Sequence, residues 1–463
     1  MNQGGVNRRD FLRSAGALAG LALLPRASAA NARRIRAAPA RASLVGDWYP
    51  QTAVWTYGGT VPGTELRFKQ GERLRVELEN LLPEDTTVHW HGVRLPNAMD
   101  GVPHVTQPPI AANGGRFLYE FELRDAGTYW YHPHLASSGQ VGRGLYAPLI
   151  VEELQPPAVD RDVTWMLGDW RLDREARIVE DFGNFMDASH DGRIGNTVTV
   201  NGAIREAFEL RAGERIRLRL VNAANARIFA LEFRGHDPIV IALDGHPVEP
   251  HRPEGGRVVL GPAMRTDVLL DATGEPGGKY AVLDDFYPRR AYRVLDLRYA
   301  RERLRGGRAG APLPKLAANP LPEPDLARAE RHHIEFGGGM MGGMMGMGMM
   351  RGMAWTINGK SMPDDGHQHA APILTLAHGR PFVFELVNDT QWHHPIHLHG
   401  HVFRLISRDG QPTRYREWLD TVLMPPRTRA EIAFVADNPG NWMLHCHVLD
   451  HQGAGMMALI RVA

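Results

Sequence analysis

The sequence has few of the features that hold small exported proteins together or anchor a chain in a membrane. It contains one cysteine, Cys446, so no internal disulfide can form. The apolar stretch from Ala15 to Leu24 is too short to span a bilayer as a helix. The net charge of +1 gives no electrostatic reason to expect binding to nucleic acid. The length of 463 residues predicts two or three domains. The content of 43% hydrophobic and 23% charged residues is typical of a soluble globular protein.

The N-terminus has the three parts of an export signal. Arg8 and Arg9 precede the apolar stretch, and the small residues Ala27–Ala30 follow it. Paired arginines before Phe-Leu resemble a twin-arginine signal. We therefore predict that residues 1–30 are a signal peptide and that the mature chain is periplasmic or secreted through the twin-arginine route, without a membrane span.

The single cysteine lies in the run His445-Cys446-His447, which continues to His451 and Met456. Two imidazoles, a thiolate and a weak axial thioether are the ligand set of a blue-copper site. Neighbours on a strand point to opposite sides, so His445 and His447 would face a second metal site behind Cys446. The alternative is a buried free thiol that packs as a small hydrophobe, but the flanking histidines favour a ligand.

Three copies of one pattern run through the chain. The segment Gly71–Asn80 alternates apolar and polar residues between a glycine and an asparagine. Gly213–Asn222 and Gly379–Asn388 repeat its glycine-to-asparagine spacing. Copies spaced by roughly 150 residues predict three related domains. Strand-like runs and abundant turn residues, with 50 glycines and 33 prolines, predict an all-β fold of Greek-key sandwiches. We place the domains at 42–155, 156–300 and 332–463, with a linker at 301–331 that is rich in arginine, proline and alanine.

Histidine pairs follow this pattern in the first and third copies but not in the second, which carries Leu231, Phe233, Leu283 and Asp285 at the corresponding positions. Eight imidazoles are enough for three coppers with coordination left for oxygen, whereas zinc sites use three or four ligands each. Histidines scattered for structural reasons would not share equivalent points of two domains. The eight residues are His89, His91, His132, His134, His397, His399, His445 and His447.

These motifs, together with His394-Pro395-Ile396-His397, resemble those of three-domain multicopper oxidases of the laccase type. The resemblance implies three cupredoxin-like domains and four coppers per chain: one type 1, one type 2 and two type 3. His393 falls outside the motif. By this resemblance, His394, Cys446, His451 and Met456 hold the type 1 copper, His89 and His397 hold the type 2 copper, and His91, His132, His134, His399, His445 and His447 hold the type 3 pair.

The resemblance also implies an activity. Substrate electrons enter singly at the type 1 copper, pass through Cys446 to His445 and His447, and reduce dioxygen to water. Asp100 matches an acidic residue of the family that supports proton supply, although the Asp100-Gly101 pair is equally typical of a turn. The family often has a second acid after the last type 1 histidine. Here that residue is Gln452, which leaves water or Asp450 as the other proton source.

A methionine-rich loop at residues 340–353 contains eight of the 18 methionines. Soft thioethers in a glycine-rich loop suit cuprous ions, and the loop resembles inserts of copper-efflux oxidases. It favours cuprous ion as the substrate and a role in copper tolerance, with phenolic or aromatic-amine substrates and a low-complexity insert of no role as alternatives. The competing hypothesis for the chain is a copper-sequestering periplasmic protein without turnover. We expect a monomer whose partners are dioxygen and a cuprous or small-molecule reductant.

Overall fold

The computed structural model describes residues 32–339, 355–362 and 370–463, which form three β-sandwiches. The first sandwich packs a sheet of order β2-β1-β4-β6 against a sheet of order β3-β8-β7-β5. A 3₁₀ turn, Asn97–Met99, and helix α1, Ser137–Gly142, lie between strands. The strands are β1 (Arg33–Ala42), β2 (Thr52–Tyr57), β3 (Leu66–Lys69), β4 (Arg73–Asn80), β5 (His89–His91), β6 (Gly115–Glu122), β7 (Gly127–His132) and β8 (Ala147–Glu152).

The middle sandwich has sheets of order β10-β9-β12-β17-β14-β15 and β11-β19-β18-β13-β16. Helix α2, Phe185–Ser189, and a 3₁₀ turn, Glu254–Gly256, lie outside the sheets. The strands are β9 (Arg161–Trp170), β10 (Thr197–Val200), β11 (Ala207–Leu210), β12 (Arg215–Asn222), β13 (Phe229–Phe233), β14 (Ile239–Leu243), β15 (His246–His251), β16 (Val258–Leu260), β17 (Arg265–Asp271), β18 (Lys279–Asp284) and β19 (Tyr292–Tyr299).

The third sandwich has sheets of order β21-β20-β23-β29-β25-β26, with β27 beside β25, and β22-β31-β30-β24-β28. Helix α3, Leu449–Gly453, precedes the last strand. The strands are β20 (Glu330–Gly338), β21 (Trp355–Ile357), β22 (Leu374–Leu376), β23 (Pro381–Asn388), β24 (His394–Leu398), β25 (Phe403–Arg408), β26 (Gln411–Pro412), β27 (Trp418–Leu419), β28 (Thr421–Met424), β29 (Arg429–Val435), β30 (Gly440–Cys446) and β31 (Met457–Val462).

The predicted all-β fold of three sandwiches is confirmed, and the repeated sequence pattern has a structural counterpart. Its copies are β4, β12 and β23, and each lies between one parallel and one antiparallel neighbour in its sheet. Alternate side chains of β4, such as Leu74 and Val76, are buried in the core, as the period of two requires. The domain boundaries read from the sequence stay predictions.

The buried apolar side chains of the first and third sandwiches form one contiguous cluster, whereas the middle sandwich has a separate core. Residues 301–329, within the predicted linker, contain no helix or strand. Asn319 in this segment donates to the Ala126 carbonyl of the first sandwich and contacts His246 of the middle one. Within the described ranges, no helix is both long and apolar enough to cross a bilayer.

The asparagine that ends each repeated strand makes equivalent hydrogen bonds in all three sandwiches. Asn80, Asn222 and Asn388 are buried, and each side-chain amide donates to backbone carbonyls further along the chain. Each side-chain oxygen accepts the amide two residues further on. These bonds satisfy buried loop groups that would otherwise lack partners, which explains why the repeat ends in asparagine.

We predict that Asn222→Ala lowers the free energy of unfolding by about 3 kcal/mol, because it leaves buried backbone groups unpaired. Those groups are the carbonyls of Arg227 and Leu260 and the amide of Ala224. Urea unfolding measures the change, and Gln51→Ala, at an exposed amide, is the matched control. A loss no larger than that of the control would contradict the assigned role.

Candidate metal centre

Within the first sandwich, and again within the third, strand register places two histidine pairs side by side. In the first sandwich His89 on β5 lies opposite His132 on β7, and in the third His397 on β24 lies opposite His445 on β30. The second histidine of each pair lies two residues further along the same chain segment. All eight predicted histidines are buried, with at most 2% of each residue exposed.

The eight histidines form three groups in which the ligand nitrogens lie within 4.8 Å of one another. Each group contains residues of both sandwiches, so neither sandwich alone builds a complete one. In two of the groups Nε2 atoms lie close together, 3.0 Å apart for His399 and His445 and 3.4 Å for His132 and His447. The groups are His89, His91 and His397; His91, His132 and His447; and His134, His399 and His445.

The second nitrogen of most of these rings is held by a hydrogen bond. Nδ1 of His89 donates to the carbonyl of Asp100 at 2.9 Å, and Nδ1 of His397 donates to that of Asp420 at 2.8 Å. A ring that donates through Nδ1 offers a lone pair on Nε2. In the described part of the chain, Nε2 of both His89 and His397 is buried and has no hydrogen-bond partner. Two such nitrogens in one group fit a soft or borderline metal ion such as copper.

Burial is the main cause that lowers the pKa of His132, His399 and His447 well below the ordinary value, and neighbouring rings lower it further. At neutral pH these three imidazoles are uncharged, so they can be buried close together without repelling one another. Metal binding requires neutral imidazole. The protonation state therefore suits a cation site.

Cys446, His394 and His451 form a separate group. Cys446 Sγ lies 3.4 Å from Nδ1 of His394 and 3.8 Å from Nδ1 of His451, and these two nitrogens are 3.1 Å apart. The opposite nitrogens contact Thr390 Oγ1 at 2.9 Å and the His190 carbonyl at 2.5 Å. This is the trigonal two-histidine, one-cysteine arrangement of blue-copper proteins.

Burial raises the pKa of the Cys446 thiol, so its thiolate form requires a nearby cation. The amide of Cys446 donates to the carbonyl of Met456 at 3.1 Å, and Met456 is fully buried. The fourth predicted residue of this site therefore lies on the chain segment beside the cysteine.

The predicted alternation around Cys446 agrees with the structure, with one detail added. Cys446 is the last residue of β30, and His447 lies just beyond the strand, where its amide donates to the Pro395 carbonyl at 2.7 Å. His445 and His447 join the histidine groups, while Cys446 faces His394 and His451. Two metal-ligand sets are thus separated by single peptide bonds.

Asp100 contacts two of the histidines. Its carboxylate accepts Nδ1 of His399 at 2.9 Å and lies 3.2 Å from Nδ1 of His89. The next residue, Gly101, has φ +81°, and a Cβ there would lie 1.9 Å from the Val88 carbonyl oxygen. Only glycine fits this close approach, so the Asp-Gly pair is a turn and also places an acid at the site.

Other residues considered from the sequence lie elsewhere. His393 packs against Phe286 with ring centroids 5.3 Å apart. The side chain of Gln452 donates to Ser137 Oγ at 3.3 Å. Both carboxylate oxygens of Asp450 are occupied, by Ser138 Oγ and by the Arg193 amide, each at 2.8 Å. The methionine-rich loop 340–353 lies outside the described residues.

Sequence reasoning missed Asp420, which is fully buried and contacts histidines of two groups. Its carboxylate accepts Nε2 of His91 at 3.1 Å, and its carbonyl accepts Nδ1 of His397. Burial alone would raise the pKa of Asp420, but the charge of Arg265 and the hydrogen bonds to the carboxylate hold it well below its ordinary value. The only sequence signal was an acid in the mostly apolar segment Trp418–Met424.

Comparisons with known proteins agree with this geometry. Models of the multicopper oxidase family match residues 42–156, 161–297 and 344–463. Multicopper oxidase MmcO of Mycobacterium tuberculosis is 32% identical over 90% of this chain and 84% of its own length. Copper resistance protein A of Escherichia coli is 26% identical over 99% of both chains.

Among solved structures, the multicopper oxidase of Pseudomonas thermotolerans is 37% identical and superimposes with a TM-score of 0.80. The match covers 93% of this chain and all of that one. On this similarity, with the three matching segments and the two ligand sets, the chain belongs to the multicopper oxidase family of copper-dependent oxidoreductases.

Proposed function

We propose that the chain couples one-electron oxidation of a reductant at a type 1 copper to four-electron reduction of dioxygen to water at a three-copper cluster. The observation that supports this most directly is the position of Cys446 in one ligand group, with His445 and His447, its covalent neighbours, in two others. We assign the type 1 copper to His394, Cys446, His451 and Met456, the type 2 copper to His89 and His397, and the type 3 pair to His91, His132, His134, His399, His445 and His447.

Bound copper would supply the one-electron redox chemistry, and the protein's part is to hold, connect and enclose the sites. The short covalent path through Cys446 to His445 and His447 joins the collecting site to the cluster. The rings are buried, so water has little access between them. A sequestering protein without turnover would need the soft ligands around Cys446 but not three further histidine groups joined to them.

Asp100 is our proposed acid at the cluster. Its carboxylate bridges His89 and His399, so it orients two ligand rings and can also hold a proton beside the site where oxygen is reduced. Gln452 occupies the position of the family's second acid and cannot donate a titratable proton. We therefore assign proton supply to Asp100, with water as its source.

For the reductant we propose cuprous ion, with phenolic or aromatic-amine compounds as the competing substrates. The methionines of residues 340–353 offer soft thioether donors, and the E. coli relative is named for copper resistance. A role in copper tolerance follows from this choice. The twin-arginine pattern at Arg8 and Arg9 supports export to the periplasm, and we propose a monomer.

We predict that the copper-loaded protein binds about four coppers and shows an intense blue thiolate band with a near-ultraviolet shoulder from the type 3 pair. Cys446→Ser should lose the blue band and oxidase activity yet retain about three coppers, because only the type 1 ligand set is broken. Metal analysis, absorption spectra and oxygen uptake test this. Copper binding without oxygen uptake would instead support sequestration.

We predict that Asp100→Asn slows oxygen turnover about a hundredfold, because the amide cannot supply the proton. Anaerobic reduction of the blue site should keep its rate, since Asp100 touches no residue of that ligand group. Stopped-flow reduction and oxygen uptake separate the two steps. Asp450→Asn is the comparison. Slower turnover in that variant, with Asp100→Asn unaffected, would transfer the role to Asp450.

We predict that replacing the eight methionines of residues 340–353 with leucine lowers cuprous oxidation, because leucine keeps the apolar volume but offers no soft donor. Oxidation of a bulky phenol should hold in this variant. Deletion of the loop should also lower cuprous oxidation, while activity on the phenol holds or rises. Parallel assays with cuprous ion and a phenol measure both. Equal loss of both activities would show that the loop is not a route for cuprous ion.

A further inference from the structure

The described residues of the middle sandwich supply no member of any histidine group. They nevertheless contact Asp420, which is hydrogen-bonded to two of the histidines. We propose that Arg265 of β17 is a positioning residue for the three-copper cluster, acting through Asp420 on His91 and His397. The inference rests on the ligand assignment proposed above. It gives the middle sandwich a role in orienting metal ligands, although this sandwich supplies none of the proposed ligands itself.

Arg265 is fully buried and binds both oxygens of Asp420. Its Nη1 lies 2.7 Å from Oδ1 and its Nη2 lies 2.5 Å from Oδ2. The remaining donors are also engaged, since Nε donates to the Thr128 carbonyl at 3.1 Å and Nη2 donates to the Asp244 carbonyl at 3.0 Å. A planar guanidinium with every side bonded has one orientation. Its partners come from all three sandwiches.

Asp420 passes this orientation to two histidines. Its Oδ1 accepts Nε2 of His91 at 3.1 Å, and its carbonyl accepts Nδ1 of His397 at 2.8 Å. These contacts leave Nδ1 of His91 and Nε2 of His397 as the available lone pairs, and both nitrogens are buried without a hydrogen-bond partner in the described ranges. The Thr421 hydroxyl contacts the two nitrogens that Asp420 binds, Nε2 of His91 and Nδ1 of His397, each at 3.2 Å. Asp420 and its neighbour Thr421 thus set which nitrogen each ring presents in a group that contains both.

The backbone of Asp420 is also held by the middle sandwich. Asp244, in the turn between β14 and β15, accepts the amides of Asp420 and Thr421 at 3.3 and 3.1 Å through one carboxylate oxygen. Its other oxygen accepts the amide of Arg265 at 3.0 Å. The side chain and the main chain of Asp420 are therefore both fixed by residues outside its own sandwich.

The Arg265–Asp420 pair packs directly against the histidine motif of the first sandwich. Gly92, which follows His91, has φ +82°, and a Cβ there would lie 2.3 Å from Arg265 Nη2 and 2.4 Å from Asp420 Oδ2. The absence of a side chain at Gly92 gives the ion pair its space. Movement of the guanidinium would therefore disturb both the hydrogen bond to His91 and the backbone beside it.

The test compares Arg265→Lys with Arg217→Lys in copper-loaded protein. Arg217 is an equally buried arginine of the middle sandwich, paired with Glu153 and Asp267, and its bonds reach no histidine. Lysine keeps the charge at both sites but cannot make the two-pronged bond. Loss of an outer contact to a metal ligand typically costs 10–100-fold in metal affinity. We expect a loss of about that size at the cluster for Arg265→Lys, and none for Arg217→Lys.

Chelator titration with metal analysis measures affinity, and the paramagnetic resonance spectrum of the type 2 copper reports ligand geometry. Arg265→Lys should change the type 2 hyperfine splitting and leave the blue band unaltered. Arg217→Lys should leave both unaltered, whatever its melting temperature. A native type 2 spectrum and native affinity in Arg265→Lys, or equal changes in Arg217→Lys, would overturn the inference.

Asp420→Asn provides a second variant if Arg265→Lys does not fold. Asparagine keeps the shape, but with one acceptor oxygen it cannot keep all three hydrogen bonds that Asp420 accepts from Arg265 and His91. It should produce the same change in the type 2 spectrum, and an unchanged spectrum would count against the inference. The wild-type protein distinguishes this failure from failure of the proposed function. A wild type without cluster signals refutes the function, whereas normal wild-type signals with unaltered variants refute only the role of Arg265.

Discussion

The structure depends on one constraint: eight imidazoles are buried together where the first and third sandwiches meet. Backbone carbonyls and the carboxylates of Asp100 and Asp420 engage one nitrogen on each of six rings, those of His89, His91, His132, His397, His399 and His445. The other nitrogens of these rings are the ones that we propose as copper ligands. Because each ligand group draws on both sandwiches, the two cannot separate without dismantling the centre, and their apolar cores are accordingly continuous.

The middle sandwich is more than a spacer between the other two. It buries Arg215, Arg217, Arg219 and Arg265, each paired with at least one carboxylate. Arg219 also donates to Thr128 of the first sandwich. A buried charge is stable only when its hydrogen-bonding geometry is satisfied, so the bonds of Arg219 to Thr128 and of Arg265 to Asp420 favour one arrangement of the three sandwiches.

Sequence alone predicted the sandwiches and the two ligand sets because both are encoded locally. The period of two and the glycine-to-asparagine spacing mark β4, β12 and β23, and alternate histidines on short strands share one face. Contacts between distant segments have no such signature. Arg265 and Asp420 belong to different sandwiches, and the sequence shows only an arginine at the start of one strand and an acid before another. The carbonyl of His190, which accepts a hydrogen bond from His451, could not be predicted because every residue has a backbone carbonyl.

The rings of His394 and His451 are wholly enclosed, and their outer edges contact Thr390 and the His190 carbonyl rather than solvent. Under the proposed function, a reductant would pass its electron through the residues that cover these rings and not by direct contact with either imidazole. The surface that the reductant contacts is then separate from the proposed metal ligands. Changes to surface residues outside Thr390 and His190 could therefore alter which reductant is accepted without changing a proposed metal ligand or its hydrogen-bond partner.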